Sequence, residues 1–257
     1  MLASNTNRLT WVGITVGIIA ALGLATTAIF PSAMDSAQSQ VKHVVIEFVD
    51  PDKGFGINNP QSDDYQYNDD GTAYLTNYHQ TSKDVVVPST IHYGGKDYSV
   101  TRINDGAVQG KGINSIVIPG SVTAIGNSSF SSNNLTSVSI PDSVKSIETN
   151  AFAGNKLTSV TFGSGLMNIG SWAFQNNNIK SITFDDNLKT IGSGAFQGNA
   201  FETISLPDKI TSIGDWAFTM SDSGSYVKTI TAAPADIMPG GINYNANAFD
   251  TGVVWPK

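Results

Sequence analysis

The stretch NAFAGNKLTSVTF, residues 150–162, returns as WAFQNNNIKSITF at 172–184 and as GAFQGNAFETISL at 194–206. The interval is twenty-two residues each time. Self-similarity at a fixed period of this length marks a solenoid, a stack of coils none of which can bury its apolar side alone. Phe130, Phe152, Phe174, Phe196 and Phe218 keep the beat, with Val108 one step upstream. So do Ile103, Ile125, Ile147, Ile169, Ile191 and Ile213, and with them Val100, Val122, Val144, Leu166, Leu188 and Ile210. Two further registers run together: Ile116, Val138, Val160, Ile182 and Ile204, then Ile118, Ile140, Phe162, Phe184 and Leu206.

The spacing inside one unit gives its shape. Val160, Thr161 and Phe162 alternate in, out, in, which is the period of a strand with one buried face. Pro119, Pro141 and Pro207 follow that strand at one position, where a missing N–H ends the ladder; Gly163 and Asp185 stand there in the other coils. Gly126, Gly170, Gly192 and Gly214 mark the reversal after the second apolar pair. Because Asn104 and Glu148 occupy the same place elsewhere, a left-handed backbone is not required there. Asn133, Asn155, Asn177 and Asn199 also keep the beat, and a short amide repeated once per coil suits a structural ladder of hydrogen bonds to turn backbone.

The unit AFxxNxLxxVxIPxxVxxIG resembles the BspA-like leucine-rich repeats of bacterial surface proteins, over about residues 71–250. The resemblance implies a β-rich leucine-rich-repeat solenoid of 22-residue coils, one strand per coil plus turns. This sequence departs from that family at Asn133, Asn155, Asn177 and Asn199, where the family has Cys, and in one residue fewer before the next Leu. The departure touches the turn and leaves the apolar registers alone. As function, the resemblance implies a non-catalytic module for cell-surface binding or adhesion; fold alone does not name a ligand.

Solenoid ends must differ from the middle, since each has one face without a neighbour. Residues 41–99 read as an N-terminal β cap that includes a first partial repeat: VKHVVIEFV and TAYLTNY are strand candidates, DVVVPSTI echoes the refrain, and Gly94-Gly95 signals a hairpin. Repeats follow over residues 100–218. The beat then breaks, the next matching phenylalanine being Phe249, so residues 219–257 read as a distorted last repeat and C-terminal cap. Ahead of all this, residues 9–30 (LTWVGITVGIIAALGLATTAIF) carry no charge and follow Arg8. Residues 1–40 are therefore expected to be either a cleaved signal peptide or a retained signal-anchor helix with the body outside, reaching the membrane only if uncleaved.

Composition narrows the chemistry. The 257 residues carry no cysteine and a net charge of −7, with nine acids against three bases over residues 35–95. That leaves no thiolate chemistry and no basic patch for phosphate backbones, so nucleic acid is not an expected partner. His43, His79 and His92 share no ligand spacing, no nucleophile elbow is present, and the acidic pairs Asp50/Asp52, Asp63/Asp64 and Asp69/Asp70 lack a calcium-loop pattern. No catalytic residue, cofactor or metal is expected. The candidate contacts are an outward hydroxyl column, Ser139, Thr161, Thr183 and Ser205, with Val117 at its head, and the indoles of Trp172 and Trp216. The expectation is a monomer that binds an extracellular protein or glycan at the bacterial surface. An envelope component that binds its own cell wall, and an extracellular hydrolase, stand as alternatives.

Overall fold

The computed structural model describes residues 64–79 and 81–219, and towards the C-terminus residues 227, 229–233, 235, 237, 245–249 and 254–256. The expected signal or anchor segment, residues 1–40, and the strand candidate at 41–49 lie outside the described residues.

The chain enters through five strands, β1 (Tyr65–Tyr67), β2 (Thr72–Leu75), β3 (Asp84–Val86), β4 (Thr90–Tyr93) and β5 (Lys96–Ile103). β1 pairs antiparallel with β2, and β4 with β5 across the Gly94-Gly95 turn, where both glycines have positive φ. Coils follow, four of them with two strands each, β6 (Ser115–Val117) and β7 (Ala124–Ile125), β8 (Ser137–Ser139) and β9 (Ser146–Ile147), β10 (Ser159–Thr161) and β11 (Asn168–Ile169), β13 (Thr203–Ser205) and β14 (Ser212–Ile213); β12 (Thr190–Ile191) and β15 (Thr229–Ala232) stand singly in theirs.

This corrects the expectation of one strand per coil. The V-x-x-I half of each unit makes a second strand of two residues, too short to show alternation in sequence. What defines it is the neighbouring coil: Ala124 and Ile125 lie against Ser146 and Ile147, and these against Asn168 and Ile169, parallel and in register. These short strands join the cap strands into one nine-stranded sheet, running β1-β2-β5-β7-β9-β11-β12-β14 with β4 beside β5.

The opposite wall, built from the L-x-x-V-x-I halves, is not continuous. It consists of three separate parallel pairs, β3 with β6, β8 with β10, and β13 with β15. Residues 181–183 join none of them. An aromatic pair marks the side of that gap towards β10: Phe162 and Phe184 occupy the inward place held by Ile118, Ile140 and Leu206 elsewhere, and their rings stack at 5.9 Å. The interruption between β6 and β8 has no such aromatic pair, and nothing in the structure explains it.

The third corner is an aromatic column. Phe130, Phe152, Phe174, Phe196 and Phe218 stack in sequence with centroids 5.1–5.3 Å apart, and Phe249 adds a further ring at 5.2 Å. The longer interval before Phe249 therefore leaves the stacking intact, because Ala246–Ala248 forms a short 3-10 turn that takes the place of a coil. Trp216 and Phe218 donate their N–H groups to the carbonyls of Asn247 and Ala248 there.

Beside the column run the four asparagines, all buried. Asn155 Nδ2 donates to the carbonyls of Phe130 and Phe152, and its Oδ1 accepts from the Leu135 N–H. Asn177 repeats this with Phe152, Phe174 and Leu157. Buried polar backbone at the turn is thus satisfied by side chains one coil apart.

Candidate functional site

The hydroxyl column stands on the interrupted wall. Ser139, Thr161, Thr183 and Ser205 are exposed, as are their neighbours Ser137, Ser159, Ser181 and Thr203, while Val138, Val160 and Ile204 between them are buried. Val117, in the same column, is also exposed. The face is neutral and carries donors and acceptors at every coil.

Trp172 and Trp216 lie elsewhere, at the corner between the continuous sheet and the phenylalanine column. Trp172 is 38% and Trp216 52% exposed. Their backbone was not legible in the sequence: φ is +55° at Trp172 and +59° at Trp216, in the left-handed region. They belong to a column in which Gly106, Ser128, Asn150 and Gly194 also have positive φ. A second such column contains Gly110, Ser132, Gly154, Asn176 and Gly198. Glycine, asparagine and serine at these places were the signal that could have revealed it, since small or locally hydrogen-bonding residues tolerate this region best. By contrast Gly170 and Gly192 are glycines for closeness: a Cβ on Gly192 would stand 2.5 Å from the Ser171 nitrogen.

The left-handed turn is held from two sides. Trp172 N–H donates to the Ser193 carbonyl of the next coil, and the Trp172 carbonyl accepts from Gln175 N–H. The Trp172 ring reaches over the neighbouring coil, where a Cβ on Gly194 would come within 2.4 Å of Cδ1. A bulky residue at positive φ is an outlier that persists only where its surroundings over-determine it. The tryptophans are thus presented outward by a backbone that suits glycine better.

The cap has polar chemistry of another kind. Asp64, buried, lies 2.6 Å from His79 Nδ1 and accepts from the His79 backbone N–H. His92 meets Asp97 at 2.7 Å on the surface. His43 lies outside the described residues, as do Asp50, Asp52 and Asp63. Burial, ahead of the nearby Asp64 charge, pushes the Tyr65 phenol far above its ordinary value. The Thr72 hydroxyl and N–H hold Asp70 below the usual carboxylate range. Asp105 is lowered in the same sense, chiefly by the Asn127 amide and then by the Arg102 charge. Arg102 also bonds Glu148 at 2.9 Å, so the acid standing in the glycine column has a cationic partner. Among the described residues no three His, Asp or Glu groups could hold a metal ion, and no helix is long and apolar enough to cross a membrane.

No curated protein matches the chain. Among solved structures, a leucine-rich repeat protein from Bacteroides ovatus is 23% identical, with a TM-score of 0.47, over 65% of this chain and 58% of its own. A leucine rich cell surface protein from Faecalibacterium prausnitzii is 22% identical, with a TM-score of 0.49, over 74% of this chain and 55% of its own. A leucine rich repeat protein from T. pallidum is 22% identical, with a TM-score of 0.41, over 66% and 70%. This chain thus spans little more than half the length of the first two. Six copies of the BspA type leucine rich repeat region match residues 101–225, nearly half of the chain, which is similar to that family there.

Proposed function

We propose that the chain is a non-catalytic cell-surface binding module that meets an extracellular protein or glycan with Trp172 and Trp216 as its anchors. The observation that carries this reading is the placement of two large exposed aromatics on left-handed backbone. Left-handed conformation costs an L-residue about 1–2 kcal/mol, and Gly106 and Gly194 in the same column show that glycine fits there. Indoles kept at such a place suit a contact role, in which aromatic side chains are the usual anchors. The two lie two coils apart, about 10 Å by strand spacing, a span one sugar chain or one extended peptide can bridge. The repeat family and the cell-surface relative support a position outside the cell, with the chain held by residues 9–30 or released after their cleavage. The module acts as a monomer.

An array of matrix proteins and glycans tests the reading. Replacing both tryptophans with glycine should leave the melting temperature unchanged or slightly raised and remove most binding to whatever the array identifies. Full affinity in that variant would exclude the anchors. A melting temperature that collapses would show that the rings are core.

A further inference from the structure

Trp172, Gly194 and Trp216 each open a turn whose fourth residue donates its N–H back to the first carbonyl. Gln175 bonds Trp172 at 3.1 Å, Gln197 bonds Gly194 at 3.0 Å and Thr219 bonds Trp216 at 3.2 Å. Such a turn brings its two ends within about 7 Å between Cα atoms. The alanine and phenylalanine between the ends are buried in all three turns. Three successive coils therefore present two parallel rows, Trp–Gly–Trp and Gln–Gln–Thr.

Three features of this strip select one kind of ligand. The first is that the polar row is connected. Gln175 Nε2 donates to Gln197 Oε1 at 2.7 Å, and Gln197 Nε2 donates to the Thr219 hydroxyl at 3.4 Å. An amide nitrogen carries two hydrogens, so each of these has one left to give, from a side chain already held by its neighbour. The second is the main chain. Every N–H from Trp172 to Gln175, from Gly194 to Gln197 and from Trp216 to Thr219 donates within the protein. A peptide finds no backbone donor in these turns and no strand edge to extend. The third is charge. None of the six residues is ionised, and Asp215, beside Trp216, is engaged by Asn245 Nδ2 at 3.0 Å.

We propose that the strip binds a neutral, extended, β-linked glycan running across the three coils. Sugar rings offer what the two rows accept: a flat C–H face for an indole, and a rim of hydroxyls for amides that donate and accept at once. Two coils, about 10 Å, match the length of a disaccharide in an extended β-1,4-linked chain. The indoles then take the first and third sugars, and the middle sugar faces Gln197. The proposal rests on the reading of the tryptophans as anchors, and adds which ligand they hold and which residues orient it.

The test titrates the full chain by calorimetry with β-1,4-linked oligomers of glucose and of N-acetylglucosamine, each of two, three and six units. An end-capped peptide of alternating threonine and valine serves as the rival ligand. At least one series should bind with Kd below about 1 mM for three and six units, and about tenfold or more weakly for two, which cannot reach both indoles. Replacing Gln175 and Gln197 together with alanine should weaken the trimer about tenfold or more at an unchanged melting temperature, since Ala153 already holds that place one coil earlier. No saturable binding by either hexamer overturns the proposal, as does full binding by the folded amide variant. Binding of the peptide alone, lost in the double tryptophan variant, would leave the anchors standing and remove the glycan. A hexamer bound equally by the double tryptophan variant would remove both.

Discussion

The two strand walls of this solenoid are written in the same period and built differently. On one, two-residue strands led by Val122, Val144, Leu166, Leu188 and Ile210 continue coil after coil into a single sheet with the cap. On the other, longer strands form separate pairs, and residues 181–183 join none of them. The longer strands would be expected to make the better sheet. They do not: this wall is interrupted both where Phe162 stacks on Phe184 at 5.9 Å and between β6 and β8, where the inward residues are Ile118 and Ile140, so how strand-like a segment is does not decide whether it pairs. The wall of Ile125, Ile147, Ile169, Ile191 and Ile213 pairs without a break.

The comparison can be broken first at its most buried point. Phe174 is fully buried in the aromatic column, with a ring stacked on each side. Phe174→Ala should lower stability by about 3–5 kcal/mol, whereas Phe184→Ala, on the interrupted wall and 9% exposed, should lower it by roughly half as much because its ring is already partly exposed. Urea midpoints of equal size for the two would mean that the walls are equally packed.

The second experiment tests whether the aromatic pair interrupts the wall. Phe162→Ile combined with Phe184→Leu gives this coil pair the residues used elsewhere in the column. Residues 181–183 should then join the ladder, and amide exchange at Val160 and Ile182 should slow by about tenfold, the equivalent of about 1.4 kcal/mol of added protection. Unchanged exchange would show that the ring pair is not what interrupts the wall there.

The smallest effect belongs to the outer face. Thr161→Ala, on an exposed side chain of β10, should change stability by no more than about 0.5 kcal/mol. A larger loss would mean that the hydroxyl column contributes to the wall itself.

What the sequence made legible, and what it did not, follows the same division. Every residue of the registers Phe130 to Phe218 and Ile103 to Ile213 is buried, because burial in a repeat is enforced at each coil and leaves a periodic trace. The second strand of each coil left almost none: two residues with one inward side chain show no alternation, and their pairing depends on a chain segment twenty-two positions away. The breaks in the other wall were hidden for the opposite reason. Phe162 and Phe184 fit the apolar register as well as Ile118 and Ile140 do, and an apolar pattern does not report which neighbours pair. At the tryptophan corner, exposure could be argued from a column that also accepts Gly194 and Asn150, but the left-handed turn that presents the rings is a backbone property carried by two neighbouring coils.

The shared carbonyls beside the aromatic column bear on how the molecule unfolds. Phe152 O accepts from Asn155 of its own coil and from Asn177 of the next, and Phe174 O from Asn177 and Asn199. No coil can detach without taking a bond from its neighbour's buried turn, which adds to the nearest-neighbour coupling of a one-dimensional array. Strong coupling of that kind suppresses fraying from the ends and favours an all-or-none transition. A chain without a single disulfide can in this way meet denaturant or mechanical load as one unit, and not as a row of coils that peel away in turn.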